Sequence, residues 1–387
     1  MRFRLKFLFL IACLLILPFV YLNGANLTIP LFELVSRGYM EDGIAFLNTR
    51  GTVDFHIEGG YKFGGSITLG LNSDNLNGTA NTLSENSSTS DISNYLNSVP
   101  FLQFKAAEVT IREIFNSPLN FSYFTGLNSV FANGDDFRTV FGTGSIGSRV
   151  RGYVYFPEGV IYDGIYQVNG TGIKLDTNFG SDSVLTEIYT YQDAYLGQGY
   201  FSSHLRSLFS LQNLKIETYT GVSYPVHPYG MYSAGMLIYY APAERASFLT
   251  QVGVPRYIPD VDTISIEHFF FLFEPRVHFS NASLIFTLFW HPDYYKEYLF
   301  SPNGESGSVD MNMNLQIGKP EESITSGGIE TNASYETAGD RELNVRVSPY
   351  LSLITEGVIW DMKVNAHVLP YDFESLIELF IGVRAEF

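Results

Sequence analysis

The stretch VDMNMNLQI, Val309 to Ile317, alternates apolar and polar residues without a break. Val309, Met311, Met313, Leu315 and Ile317 share one parity, and Asp310, Asn312, Asn314 and Gln316 the other. A period of two is the signature of a β-strand, because successive side chains leave opposite faces of the pleat. Two folds accommodate such a strand. A sandwich puts the apolar face in a dry core and the polar face in bulk water, whereas a membrane barrel puts the apolar face in lipid and the polar face in a wet lumen.

The same period recurs along most of the chain. From Gly51 to Leu71 the odd positions Val53, Phe55, Ile57, Tyr61, Phe63, Ile67, Leu69 and Leu71 are apolar. The even positions Asp54, His56, Glu58, Lys62, Ser66 and Thr68 are polar. Parity survives Gly59-Gly60, and a two-residue hairpin would swap the faces, so the pattern reads as one long strand bent at its glycines. NLKIETYTGV, GGIETNASYE, RELNVRVSPYLSL and IWDMKVNAHV repeat the alternation. The connections fall into two classes. Residues 72–100 and 127–148 are long and polar, while NSP (116–118), PEG (157–159), APA (241–243) and TEG (355–357) are tight. If the first strand rises from the periplasm, the long connections all lie outside. Carried to Phe387, the alternation predicts about 18 strands from residue 51 onward, and weak patterning over 160–210 leaves 16 as the alternative. No repeat of propeller length is present.

The N-terminus reads MRFRLKFLFLIACLLILPFVYLNGANLTIP. Arg2, Arg4 and Lys6 precede an uncharged apolar run from Phe7 to Leu22, followed by Gly24 and Ala25, the layout of a secretory signal peptide. At 16 residues the run is short for a spanning helix. Cleavage is expected after Ala25, with Cys13 read as part of the apolar run and not as a lipoprotein processing site. The mature chain then holds no cysteine and carries 20 basic against 40 acidic residues, a net charge of 20 − 40 = −20. That acidity argues against nucleic-acid binding, which needs a cationic footprint. Charged and aromatic residues each make up 16% of the chain, a balance that suits an apolar exterior flanked by aromatic girdles.

The C-terminus, SLIELFIGVRAEF, alternates back from Phe387 through Ala385, Val383, Ile381, Leu379 and Ile377, with Phe380 the exception on the polar face. A final amphipathic strand ending in Phe resembles the assembly signal of bacterial outer-membrane β-barrels. The resemblance implies an all-β, closed antiparallel transmembrane β-barrel in the bacterial cell outer membrane, reached through the inner membrane by the signal peptide. Its partners would be outer-membrane lipid, the barrel-assembly machinery acting on the C-terminal strand, and small solutes, with no nucleic acid and oligomerisation left open. Residues 1–25 would be the signal peptide, 26–50 an N-terminal periplasmic segment formed by a short helix or an extra strand, and 51–387 the barrel.

Few motifs point to chemistry. GTGSIG, Gly142 to Gly147, fits G-x-G-x-x-G but lacks the following helix that phosphate binding needs, and reads as a flexible loop. SDNLNG (73–78) departs from a calcium loop at its first and twelfth positions. Asp135 and Asp136 form an acidic pair in an outside loop with no histidine near in sequence. Asp54, His56 and Glu58 lie about 7 Å apart on one strand face and read as wet lumen wall, not a metal site. No nucleophile elbow occurs, and neither an enzyme nor a cofactor is expected. The pore-lining candidates are Asp54, His56, Glu58, Lys62, Arg149, Arg151, Glu217, Asp310, Arg346, Asp361, Lys363 and Arg384, with Phe387 as the assembly signal. Charges of both signs in these rows suggest a porin-like channel for passive or weakly selective diffusion of small polar solutes. The alternatives are a surface structural or adhesion protein and a barrel transporter of hydrophobic compounds.

Overall fold

The computed structural model describes residues 25–41, 43–73, 76, 100–149, 164–178, 183–243, 245–291, 308–318, 323–336, 342–371 and 376–385. Among these, the runs of period two form eighteen strands of one antiparallel sheet. The first nine are β1 (Ala25–Glu41), β2 (Ile44–Gly59), β3 (Phe63–Ser73), β4 (Phe101–Ile111), β5 (Leu119–Phe131), β6 (Tyr166–Thr177), β7 (Val184–Asp193), β8 (Phe201–Ser210) and β9 (Leu214–Tyr224). The rest are β10 (Met231–Ala243), β11 (Ala246–Tyr257), β12 (Phe270–His278), β13 (Ala282–His291), β14 (Ser308–Ile317), β15 (Thr325–Glu336), β16 (Leu343–Thr355), β17 (Val358–Leu369) and β18 (Ile377–Ala385). Each strand pairs with the next. β1 also pairs with β18, from Phe32 opposite Ala385 to Gly38 opposite Leu379, so the sheet closes on itself. The closed antiparallel barrel and the count of eighteen expected from the sequence are borne out.

The two faces are unequal in the way β14 predicts. Met313 and Ile317 are 51% and 61% exposed, against 0% for Asp310 and 4% for Asn312. Hydrogen bonds identify the polar face as the inner one, because they skip a strand. Lys363 Nζ on β17 reaches Glu330 Oε2 on β15 at 2.7 Å, and the Tyr350 hydroxyl on β16 reaches Asn314 Oδ1 on β14 at 2.9 Å. Only the concave side of a curved sheet brings such groups within reach. Phe380, the exception in the C-terminal pattern, lies on this inner face and is fully buried.

Two expectations are corrected. Residues 26–50 are not a segment ahead of the barrel, since β1 and the start of β2 form the hairpin that makes the closing seam. A register shift between Thr28 and Leu31 breaks the parity of β1, which hides it from a search for alternation. The chain from 51 to 71 is also not one strand but two, β2 and β3. Their partners run from Gly51 opposite Ser73 to Gly59 opposite Gly65. Each pair of residue numbers sums to 124, so odd faces odd across the turn and the faces do not swap. Gly60 makes the turn at φ +82°, where a Cβ would lie 2.1 Å from the Phe63 carbonyl oxygen.

Connections alternate between two rims. β3, β5 and β13 end at one rim, where the chain enters its long connections, while the short turns after β2, β8, β12 and β16 lie at the other. The apolar run up to residue 24, PEG (157–159), Arg151 and Phe387 lie outside the described residues.

An exterior of this kind suits lipid, and the two faces of β14 separate the consequences of one added charge. In a bilayer Met313→Arg should cost about 2–4 kcal/mol near the midplane. Asn314→Arg, on the inner face opposite Glu330, should be tolerated. Heat-modifiable mobility on gels checks this, and equal folding of the two variants would sink the assignment of faces.

Candidate functional site: the barrel interior

After β5 the chain, from Ala132 to Arg149, turns into the barrel. Ala132 takes φ +60° and Gly134 φ +87°, and helix α1 (Asp135–Phe141) follows, ended by Gly142 at φ +64°. Two anchors hold this loop to the wall. At the first, the Ala132 N–H donates to Glu217 Oε1 on β9 and Gln251 Nε2 on β11 donates to the Ala132 carbonyl, both at 2.7 Å. Arg206 on β8, only 1% exposed, donates from Nε to Glu217 at 2.7 Å and from one terminal nitrogen to Glu187 on β7 at 3.0 Å. The same guanidinium meets Asp136 of α1 at 2.6 Å. The planar guanidinium, always charged, thus meets three carboxylates through Nε and one terminal nitrogen.

At the second anchor, Glu274 and Arg276 on β12 grip the end of the loop. Arg276 donates to the Gly147 carbonyl at 2.6 Å, and Glu274 accepts from Ser148 Oγ at 2.6 Å and from the Arg149 N–H at 3.1 Å. Thr287 on β13 completes the Glu274 set at 2.8 Å. Between the anchors Phe137 and Ile146 are buried. They join an apolar cluster on the inner face that includes Phe131, Tyr166, Tyr189 and Tyr219. The Phe131 ring lies 5.1 Å from Tyr219 and 5.6 Å from Tyr189, a spacing worth about 0.5–1.5 kcal/mol per pair beyond burial. The His204 ring centroid lies 4.4 Å from that of Tyr166, the rings tilted by 40°, and it has room only because Gly221 faces it; a Cβ there would lie 2.0 Å from the imidazole.

The remaining arc, β14 to β18 and β1 to β4, is lined differently. Its inner rows are mostly Asp, Asn, Ser, Glu, Lys and Arg, with Val35, Tyr350 and Phe380 among them, and many of the charges form pairs. Lys363 meets Glu330, Arg384 meets Asp361 at 3.6 Å, Arg37 and His367 both meet Glu378, and Lys105 meets Asp54. Asn312 donates to Glu330 at 2.6 Å and Ser348 to Asn365 at 2.7 Å. Neighbouring charges of opposite sign solvate one another, so the arc is polar without a strong net field.

The structure places Asp54, His56, Glu58, Asp310, Arg346, Asp361, Lys363 and Arg384 on inner strand rows of this arc. His56 Nδ1 bonds Thr68 Oγ1 at 2.9 Å, and its Nε2 lies 3.6 Å from Glu58. Among the described residues no group of three or more metal-ligating side chains is placed to hold an ion. Three candidates are corrected. Lys62 sits in the turn between β2 and β3, Arg149 sits at the end of the inward loop, and Glu217 is 0% exposed beneath that loop. Arg151 is not described. The loop is itself a correction. Asp136, read as an outside carboxylate, is drawn inside by Arg206, and GTGSIG ends α1 and seats Gly147 against Arg276.

Sequence reasoning missed Arg206, Glu187, Glu274 and Arg276. A signal was present: the inner parity of β7 and β8 places Leu185, Tyr189, Tyr191 and Leu208 beside single charges, and apolar residues on the lumen side mean a wall covered by protein. The polar-looking loop likewise carries Phe137, Phe141 and Ile146, which need somewhere to be buried.

Arg206→Ala would leave Glu217 buried without its cation and Glu187 with only the field of Lys174, at a cost of about 3–5 kcal/mol. The variant should unfold at lower denaturant and become cleavable by trypsin after Arg138, while Arg206→Met with Glu187→Gln and Glu217→Gln should recover much of the loss. Unchanged stability and protection in Arg206→Ala would refute the anchor.

No sequence-family model matches the chain, and no curated protein matches it in sequence. Solved structures do match in shape. Acinetobacter baumannii OccAB4 aligns over 94% of this chain and 97% of its own, at 9% identity and a TM-score of 0.52. OccAB2 of the same organism aligns over 94% and 98%, at 11% and 0.51. A substituted Rh. blastica porin covers 94% and 100%, at 10% identity and 0.46. At such identities the likeness is one of fold: the described residues form a closed eighteen-stranded antiparallel barrel similar to these structures.

Proposed function

We propose that this chain is an outer-membrane channel of porin type, and not an enzyme, through which small polar solutes diffuse along the polar arc of the barrel. The observation that carries this reading is the division of the interior. One half-wall, β5 to β13, is occupied by the inward loop, and the other is lined with paired charges and amides. In this reading Asp54, His56, Glu58, Arg346, Asp361, Lys363 and Arg384 line the passage, Asp310 is buried in the wall behind them, and the loop sets the width. The signal peptide delivers the chain across the inner membrane. The assembly machinery acts on the C-terminal strand, so deletion of Phe387 should leave unfolded chain in the periplasm. The aromatic residues of the interior favour no hydrophobic-compound transporter, because they are buried beneath the loop.

Planar-bilayer recording tests the proposal directly. The purified barrel should show stable unitary conductance, and replacing residues 134–148 by a short Gly-Ser linker should raise it. Because the charges of the arc are paired, ion selectivity should be weak. Lys363→Gln removes the cation facing Glu330 and should shift preference toward cations. A unit charge about 8 Å from a passing ion in water is worth about 0.5 kcal/mol, a factor of about two in permeability ratio. A properly folded barrel that conducts nothing would overturn the channel reading.

A further inference from the structure

The outer surface carries one recess that the passage does not use. It lies near the rim of long connections, where β9, β10 and β11 meet, and has a volume of ≈ 230 Å³. Its floor is formed by small outward-facing side chains, Thr220, Ala234 and Val254, at neighbouring register positions. Tyr232 and Tyr257 flank it where the β10–β11 register shifts, and the shift opens the wall at that point. The connection from β11 to β12 roofs it with Ile264, His268 and Phe269.

This roof is built and not loose. The Ile258 N–H donates to Asp262 Oδ2 at 2.6 Å, His268 Nδ1 bonds Ser265 Oγ at 3.2 Å, and outward-facing Trp290 donates from Nε1 to the Ile266 carbonyl at 3.1 Å. The same connection turns Val261, Ile264 and Ile266 outward at 59%, 77% and 69% exposure. It thereby extends the apolar exterior upward without interruption.

We infer that this recess is a binding site for one acyl chain of a membrane lipid from the leaflet at that rim. The inference rests on the outer-membrane reading above. Three observations support it. The lining is mainly apolar, from Tyr232, Ala234, Val254, Tyr257, Ile264 and Phe269, which suits a hydrocarbon chain. The cavity exceeds the apolar one of about 150 Å³ known to stay dry and take benzene. It also opens onto the face that lipid covers, so acyl chains are the ligand present at the highest local concentration.

Trp290, pinned to the roof, is the reporter. The chain has two tryptophans, and Trp360→Phe leaves it alone. In detergent micelles doped with a phospholipid brominated along one acyl chain, Trp290 fluorescence should be quenched saturably at low lipid mole fraction. Ala234→Phe fills the floor and should weaken the saturable phase tenfold or more, and Ile264→Ser, which opens the roof, should weaken it several-fold. Linear, unsaturable quenching in all three proteins, or a saturable phase untouched by Ala234→Phe, would overturn the site. So would a dimer, seen by sedimentation, that Ala234→Phe dissociates, since a second copy would then be the occupant. Conductance of the same preparations separates the outcomes, because a failed channel reading silences every variant and a failed lipid site leaves conduction intact.

Discussion

Everything in this molecule depends on the closure of one sheet. In lipid a backbone N–H or C=O without a partner costs several kcal/mol, so a strand can cross a bilayer only when both its edges are paired. The seam between β1 and β18 meets that condition, and it joins residues more than three hundred positions apart. Arg37 and Glu378 meet across it on the inner side, while Leu34 and Val383 face lipid together on the outer side. The alternation along every strand follows from this closure, because it divides each strand into a lipid side and an interior side.

Closure creates an interior that must then be filled or wetted, and the barrel does both. On the β5 to β13 side, apolar side chains of the wall and the inward loop bury one another, and buried ions are tolerated because each is met by several opposite charges or donors. Such networks are not cheap sources of stability; their geometry fixes where the loop must sit. On the other side, the wall is polar and its charges are met by opposite charges and amides on neighbouring strands. The same fold thus holds a dry half and a polar half, separated by which inner rows carry Tyr and Leu and which carry Asn and Glu.

How far the fold could be read in advance varied with the element. β14 obeys the period of two at every residue and was legible completely, including which residues face outward. β1 was not, because its register shift and its mixed inner row of Glu33, Val35 and Arg37 break the pattern. The turn between β2 and β3 was invisible for an arithmetic reason, since a pairing with an even sum leaves parity unchanged. In the polar arc the inner rows of β14, β16 and β17 could be read from alternation, whereas Arg37 and Lys105, which pair there with Glu378 and Asp54, could not. The dry half was not, because a polar loop folded inward has the same composition as one extended into water.

Local chemistry alone determined that the chain forms strands, which side of each strand avoids water, and that the sum of those strands suits a barrel in lipid. These properties follow from the alternation of side chains along an extended backbone, a rule of period two that needs no partner. Only the tertiary structure decided where the sheet closes, that the β5–β6 connection turns inward, and which acid meets which base. Those outcomes depend on contacts such as Arg206 with Asp136 and Glu217, or Arg276 with Gly147, whose partners lie 11 to 129 residues apart. A pattern read along one strand carries no information about which distant strand will face it, and the curvature of the closed sheet is what brings them together.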